Sequence, residues 1–282
     1  MKVITEQSEL KKEIELLRSQ GKTLGFVPTM GALHKGHLSL VQRALKENDA
    51  LVVSIFVNPT QFNNPNDLVT YPRTLENDVA LLGTASEDIL VYAPTVDDVY
   101  GDNVVSVNYD FDGLEFKMEG EFRPGHFDGV GTIVKRLFEI VTPDHAYFGE
   151  KDFQQLAIIK KMVKKNKLPV GIVPCEILRE TSGLAMSSRN VRLKPEYAEA
   201  APFIYKTLKS ANIKFGTERA KEVTDWVKSQ FENHPLLELE YFVIADIDTL
   251  ETIENKKENI LYRAFIAVYA GDIRLIDNLA LN

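Results

Sequence analysis

The 282-residue sequence predicts an α/β fold: a Rossmann-like parallel sheet with helices on both faces, plus a smaller C-terminal α+β domain. Three observations carry that expectation. Apolar runs of strand length alternate with stripes of helical spacing through the first part of the chain. Some of those runs are apolar at nearly every position, as strands covered on both faces must be. After about residue 185 the order changes to helix-like segments followed by consecutive strand-like runs.

The elements follow in order. Leu10, Ile14 and Leu17 mark a first helix. Residues 23–28 read as a buried strand and 37–47 as a helix, with Leu38, Val41 and Leu45 on one face. "ALVVSIFV" (50–57) is a strand, Thr74 to Leu82 a helix, and "DILVYAP" (88–94) a strand again. Val130, Val134, Leu137, Phe138 and Val141 form the stripe of a further helix, and "HAYFG" (145–149) a short strand. Leu156, Ile159 and Val163 face inward from the next helix, and "VGIVPCEIL" (170–178) returns to strand. Right-handed crossovers turn such alternation into a Rossmann-like layer. Helices over 195–211 and 217–232 then precede antiparallel runs at 237–246, 260–270 and 273–281. The expected domains are 1–184 and 185–282, with the boundary in "SGLAMSSRN" (182–190).

Composition narrows the class. With 44% hydrophobic residues the chain can build a sizeable core. It has no apolar run of bilayer length and no signal-peptide core at its N-terminus, so no membrane association is expected. A lone Cys175 fits a reducing cytoplasm and reads as a small buried apolar residue. A net charge of −8 does not draw in a nucleic-acid backbone. The basic run "KKMVKKNK" (160–167) reads as a solvated helix end. Anionic small molecules remain suitable ligands wherever local donors converge.

"PTMGALHKGH" (28–37) is such a place. It is a strand-to-helix connection, and ligands of open α/β sheets sit at the carboxyl ends of strands. Gly31 and Gly36 let backbone approach a ligand, and the helix N-terminus suits phosphate. His34 and His37 can each donate to a phosphate oxygen, whichever protonation state they hold. A structural hydrogen-bonding role is the common alternative for one such histidine. Zinc is disfavoured, because no cysteine or further histidine lies at ligand spacing.

These residues resemble the H-x-G-H nucleotide-binding motif of adenylate-forming and nucleotidyl-transferring enzymes, a group that includes class I aminoacyl-tRNA synthetases. More closely, the chain resembles the pantothenate synthetase (pantoate–β-alanine ligase) family over about residues 22–192. Five further segments carry the resemblance: "FVNPTQF" (56–62), "YPRTLE" (71–76), "EGEFRPGHFDGV" (119–130), "FGEKDFQQL" (148–156) and "LRETSGLAMSSRN" (178–190). Two places depart from the family pattern: "NNPND" (63–67), and Ser182 where aspartate usually precedes Gly183.

The resemblance implies a set of roles. ATP would be held by Met30, Gly31, Ala32, Leu33, His34, Lys35, Gly36 and His37, by Gly149, Glu150, Lys151 and Asp152, and by Leu178, Met186, Ser187, Ser188 and Arg189. Pantoate would meet Pro28, Met30, Asn58, Gln61, Arg123 and Gln155, with Gln61 also beside β-alanine. Tyr71 would lie near the nucleotide, and His126 reads as structural. Gln155 is expected on the same helix face as Asp152. The catalytic group would be His37, His34, Lys151, Arg189, Ser187 and Ser188, with Mg²⁺ on the phosphates and its protein ligands unassigned. The C-terminal domain would act as a lid, and the family pattern implies a homodimer. The implied reaction is ATP-dependent joining of pantoate to β-alanine through pantoyl adenylate, releasing AMP and pyrophosphate. The alternatives are a nucleotidyltransferase of the same superfamily and a non-catalytic nucleotide-binding protein.

Overall fold

The computed structural model describes residues 1–62 and 65–281, apart from the side chains of Pro65 and Asp67. The departure at 63–67 therefore lies largely outside the described residues. The chain forms two compact units, one of Met1–Glu150 with Gln154–Glu176, the other of Lys151–Phe153 with Ile177–Asn282.

The first unit is built on strands β1 (Lys2–Ile4), β2 (Leu24–Thr29), β3 (Ala50–Ile55), β4 (Leu90–Tyr92), β5 (His145–Gly149) and β6 (Gly171–Cys175). They form one sheet in the order β1-β4-β3-β2-β5-β6, and every pairing is parallel. Helices flank it, including Gln7–Ser19, Lys35–Glu47, Leu75–Gly83, His126–Val141 and Phe153–Asn166. Phe26, Val27, Val52 and Val53 are consecutive pairs with no exposure. Adjacent strand residues point to opposite faces, so both faces are covered. Cys175 is buried, and burial raises its thiol pKa. Lys161 and Lys165, in the basic run, pair with Asp112 and Asp110 at the exposed helix end.

The strand order locates the ligand crevice. From β2 the chain proceeds outward through β3 and β4, then returns to the other side of β2 for β5 and β6. The direction reverses between β2 and β5. In open α/β sheets the carboxyl ends beside such a reversal bind ligands.

The second unit carries an antiparallel sheet, β7 (Leu237–Asp246), β8 (Tyr262–Ala270) and β9 (Ile273–Ala280), in that order. Its core joins Phe242, Ile244, Ile266 and Val268 to Leu208, Val223 and Val227 from helices Phe203–Phe215 and Ala220–Phe231. The helix expected over 195–211 is two, Pro195–Ala200 and Phe203–Phe215, divided at Ala201–Pro202. Proline has no N–H to carry a helix ladder through that point. Residues 177–184 also belong to the second unit. Leu184 lies in its core, and Arg179 forms a two-pronged ion pair with Asp277 of β9.

Candidate active site

The loop after β2 is fixed from three directions. Thr29 Oγ1 accepts from Gly31 N at 3.2 Å and donates to Ser54 O at 2.7 Å. Gly31 and Ala32 both have positive φ, +82° and +50°. A left-handed alanine costs on the order of 1 kcal/mol. The carboxylate of Asp78, 2% exposed, offsets that cost by accepting from Ala32 N at 3.0 Å and Leu33 N at 2.7 Å. Gly31 leaves room for this carboxylate, because a Cβ there would sit 3.0 Å from Asp78 Oδ2. Sequence reasoning missed Asp78, which reads as an ordinary acid in a helical first turn.

The helix expected from residue 37 starts at Lys35, with His34 as its N-cap and His37 in its first turn. The two histidines form a reciprocal capping box. Gly36 N donates to His34 Nδ1 at 3.0 Å, and His34 N donates to His37 Nδ1 at 3.3 Å. A ring nitrogen that accepts carries no proton. The cap therefore selects the tautomer in which both rings keep Nε2–H as a donor. The ring centroids are 4.1 Å apart.

The turn after β3 presents Gln61. Asn58, 1% exposed, commits its whole amide within the protein. Its Nδ2 donates to Gln61 Oε1 at 3.1 Å and Gly129 O at 3.3 Å, and its Oδ1 accepts from Tyr100 OH at 2.7 Å. Burial raises the Tyr100 phenol pKa, so it stays a donor. Gln61 Nε2 lies 3.0 Å from Met30 Sδ, which joins this turn to the loop after β2. His126 Nδ1 is 2.9 Å from Gln61 O. Gly129 is required because a Cβ would lie 2.4 Å from Thr60 O. Tyr71 is buried edge-on against Phe62 at 5.7 Å between centroids.

Gly149 ends β5, the neighbour of β2, and Glu150 follows it. Asp152 belongs to the 3₁₀ turn Glu150–Asp152, not to the helix Phe153–Asn166, so it shares no helix face with Gln155. The buried neighbour Gln154 is structural: it donates to Leu114 O and Lys117 O and accepts from Glu119 N. Arg123 Nη1 lies 3.9 Å from Glu119 Oε2. The first unit thus gathers Pro28, Met30–His37, Asn58 and Gln61 on adjacent strand ends.

Lys151, Asp152, Leu178, Met186, Ser187, Ser188 and Arg189 belong to the second unit. Residues 178–186 form a small hairpin, with Met186 N donating to Leu178 O at 3.1 Å and Glu180 N to Leu184 O at 2.9 Å. Ser182 Oγ accepts from Leu184 N at 3.4 Å, so serine supports the turn where the family usually has aspartate. Ser187 Oγ accepts from Arg189 N at 3.2 Å.

A family model described as pantoate-beta-alanine ligase matches residues 2–280. This chain is a pantoate–β-alanine ligase family member. Curated relatives agree over the full length of both chains: pantothenate synthetases from Christiangramia forsetii, 58% identical, and Flavobacterium psychrophilum, 57% identical. A crystal structure of pantothenate synthetase from Thermus thermophilus is 39% identical and superposes with a TM-score of 0.91, covering 100% of this chain and 99% of that one. A pantoate-beta-alanine ligase from Francisella tularensis, complexed with beta-gamma ATP and beta-alanine, is 37% identical with a TM-score of 0.82, covering 100% of this chain and 98% of that one. Among the described residues no helix is long and apolar enough to cross a membrane.

Proposed function

We propose that this chain joins pantoate to β-alanine in two steps at the expense of ATP. A pantoate carboxylate oxygen attacks the α-phosphorus, forming pantoyl adenylate and releasing pyrophosphate. The β-alanine amine then attacks the acyl carbon, forming the amide and releasing AMP with the bridging oxygen. The observation that carries this reading is the histidine cap beside the sheet's reversal point, which keeps two Nε2–H donors at a helix N-terminus. The family assignment and the ligands named for the Francisella relative support ATP and β-alanine as substrates.

The roles are those that the family resemblance implies, and the chemistry of each group suits its part. His37 and His34 donate to the α-phosphate as charge develops there. The other residues of Met30–His37, with Gly149, Glu150 and Asp152, line the nucleotide, and Leu178 and Met186 meet the adenine side. Lys151, Ser187, Ser188 and Arg189 take the outer phosphates as point charge, hydroxyls and fork. Gln61, Gln155, Arg123, Pro28 and Met30 orient pantoate in line, with Asn58 acting by holding Gln61. Gln61 also lies beside the incoming amine. Among the described residues no three His, Cys, Asp or Glu side chains are grouped to hold a metal. We assign Mg²⁺ to the substrate, as Mg·ATP, which suits an ion that keeps several waters and binds phosphate oxygens. We further place the chain in the cytoplasm as a homodimer, in keeping with the single thiol and the family pattern.

Isotope transfer tests the adenylate. With pantoate labelled by ¹⁸O in its carboxylate, one label per turnover appears in AMP. Unlabelled AMP, or a nucleotidyl group retained in the product, would overturn the two-step reading.

A further inference from the structure

The second unit holds its two proposed phosphate-gripping segments on neighbouring residues of its last strand. Arg179, which opens the 178–186 hairpin, donates through Nη1 to Asp277 Oδ2 at 2.6 Å and through Nη2 to Asp277 Oδ1 at 2.9 Å. The same guanidinium donates to Gly183 O at 3.2 Å and lies 3.7 Å over the Tyr205 ring. It therefore fixes the hairpin at its base and at its turn. Asn278, the next residue of β9, donates through Nδ2 to Lys151 O at 2.9 Å. Its Oδ1 accepts from Arg263 Nη1 at 2.5 Å, and that guanidinium lies 4.1 Å over the Phe153 ring. Asp277 and Asn278 are 5% and 2% exposed.

We propose that Asp277 and Asn278, with Arg179, are positioning residues that set Lys151 relative to the Met186–Arg189 segment so that both engage one triphosphate. This rests on the phosphate roles given above to Lys151, Ser187, Ser188 and Arg189. A buried ion pair is a poor net stabiliser, since well-packed apolar residues often serve as well. What the two-pronged pair supplies is fixed geometry. Asn278 adds the same for a backbone: its amide can satisfy Lys151 O and Arg263 Nη1 in only one orientation. Lysine is a flexible point charge on a long stem, so anchoring its main chain is the way to limit where the ammonium reaches.

The test uses the full-length enzyme with Mg·ATP, pantoate and β-alanine. Asn278→Ala raises the KM for ATP about tenfold, the size of one lost positioning hydrogen bond. The KM values for pantoate and β-alanine stay within about twofold, because their proposed ligands are elsewhere. A purely structural defect would instead lower the active fraction, and so kcat, with all three KM values unchanged. In a Lys151→Ala background, Asn278→Ala adds less than about twofold, since it acts through the residue already removed. If Asn278→Ala shows no cooperative melt, Arg179→Lys carries the test: it keeps the charge, loses the fork, and raises the KM for ATP alone. An unchanged KM for ATP in the folded variant, or additive effects in the double variant, overturns the positioning role while leaving the phosphate reading intact. An unchanged KM for ATP in Lys151→Ala removes that residue's phosphate role and this proposal with it.

Discussion

His37→Ala lowers the rate of pantoate-dependent ATP–pyrophosphate exchange by about 10²-fold or more, the loss expected when one donor to a developing charge is removed. Exchange isolates the first step, because it needs no β-alanine. The substitution also removes half of a helix cap, since His37 Nδ1 accepts from His34 N at 3.3 Å. A lost cap acceptor costs about 1 kcal/mol of stability. His37→Asn separates the two effects. Its Oδ1 can replace Nδ1 as the acceptor, but nothing replaces the Nε2–H donor. Asn therefore restores the melting temperature while exchange stays as slow as in the alanine variant. A near wild-type exchange rate in His37→Asn would assign His37 to the cap alone.

Asp78→Ala destabilises the first unit by about 3 kcal/mol and slows exchange, although Asp78 is itself no proposed ligand of the substrates. The carboxylate serves Ala32 N, Leu33 N and Thr74 Oγ1 from a buried position. A hydrogen bond to a charged group contributes about 1.5–3 kcal/mol, and orphaned buried donors add their desolvation cost. The energies are not additive within one network, which holds the total at about 3 kcal/mol, below the simple sum of the three bonds. Asp78→Asn retains one acceptor oxygen and falls between wild type and alanine. The urea midpoint reports the stability change, at unchanged slope if the native fold is kept. A wild-type midpoint in Asp78→Ala would show that the turn holds its left-handed alanine by other means.

Legibility in the sequence tracked how local each cause is. Strands β5 and β7 match the expected 145–149 and 237–246 because their apolar pattern ends at the element's own ends. The helix after His34 begins two residues before the expected start because the cap is a pair of histidines, not the usual Ser, Thr, Asp or Asn. Strand β1 was missed: three residues at a sheet edge leave no period to read. The histidine turn was visible from residue type, spacing and its strand-to-helix setting, and the glutamine turn through the family resemblance. The residues that hold them in shape were not. Asp78 meets Ala32 from 46 positions away, Tyr100 meets Asn58 from 42, and Asn278 meets Lys151 from 127. Hydrogen bonds of that range have no sequence period, and a buried acid or amide looks like a surface one until the fold covers it.

A crystal structure with α,β-methylene ATP and pantoate measures most directly where the nucleotide's innermost phosphorus lies. The methylene bridge blocks pyrophosphate loss, so the reactants stay in place. The expected result puts the α-phosphate beside the carboxyl ends of β2 and β5, with the Nε2 atoms of His34 and His37 at about 2.7–3.2 Å from its oxygens, and a pantoate carboxylate oxygen opposite the methylene group. A triphosphate bound away from those strand ends, with both imidazoles turned from it, would contradict the account.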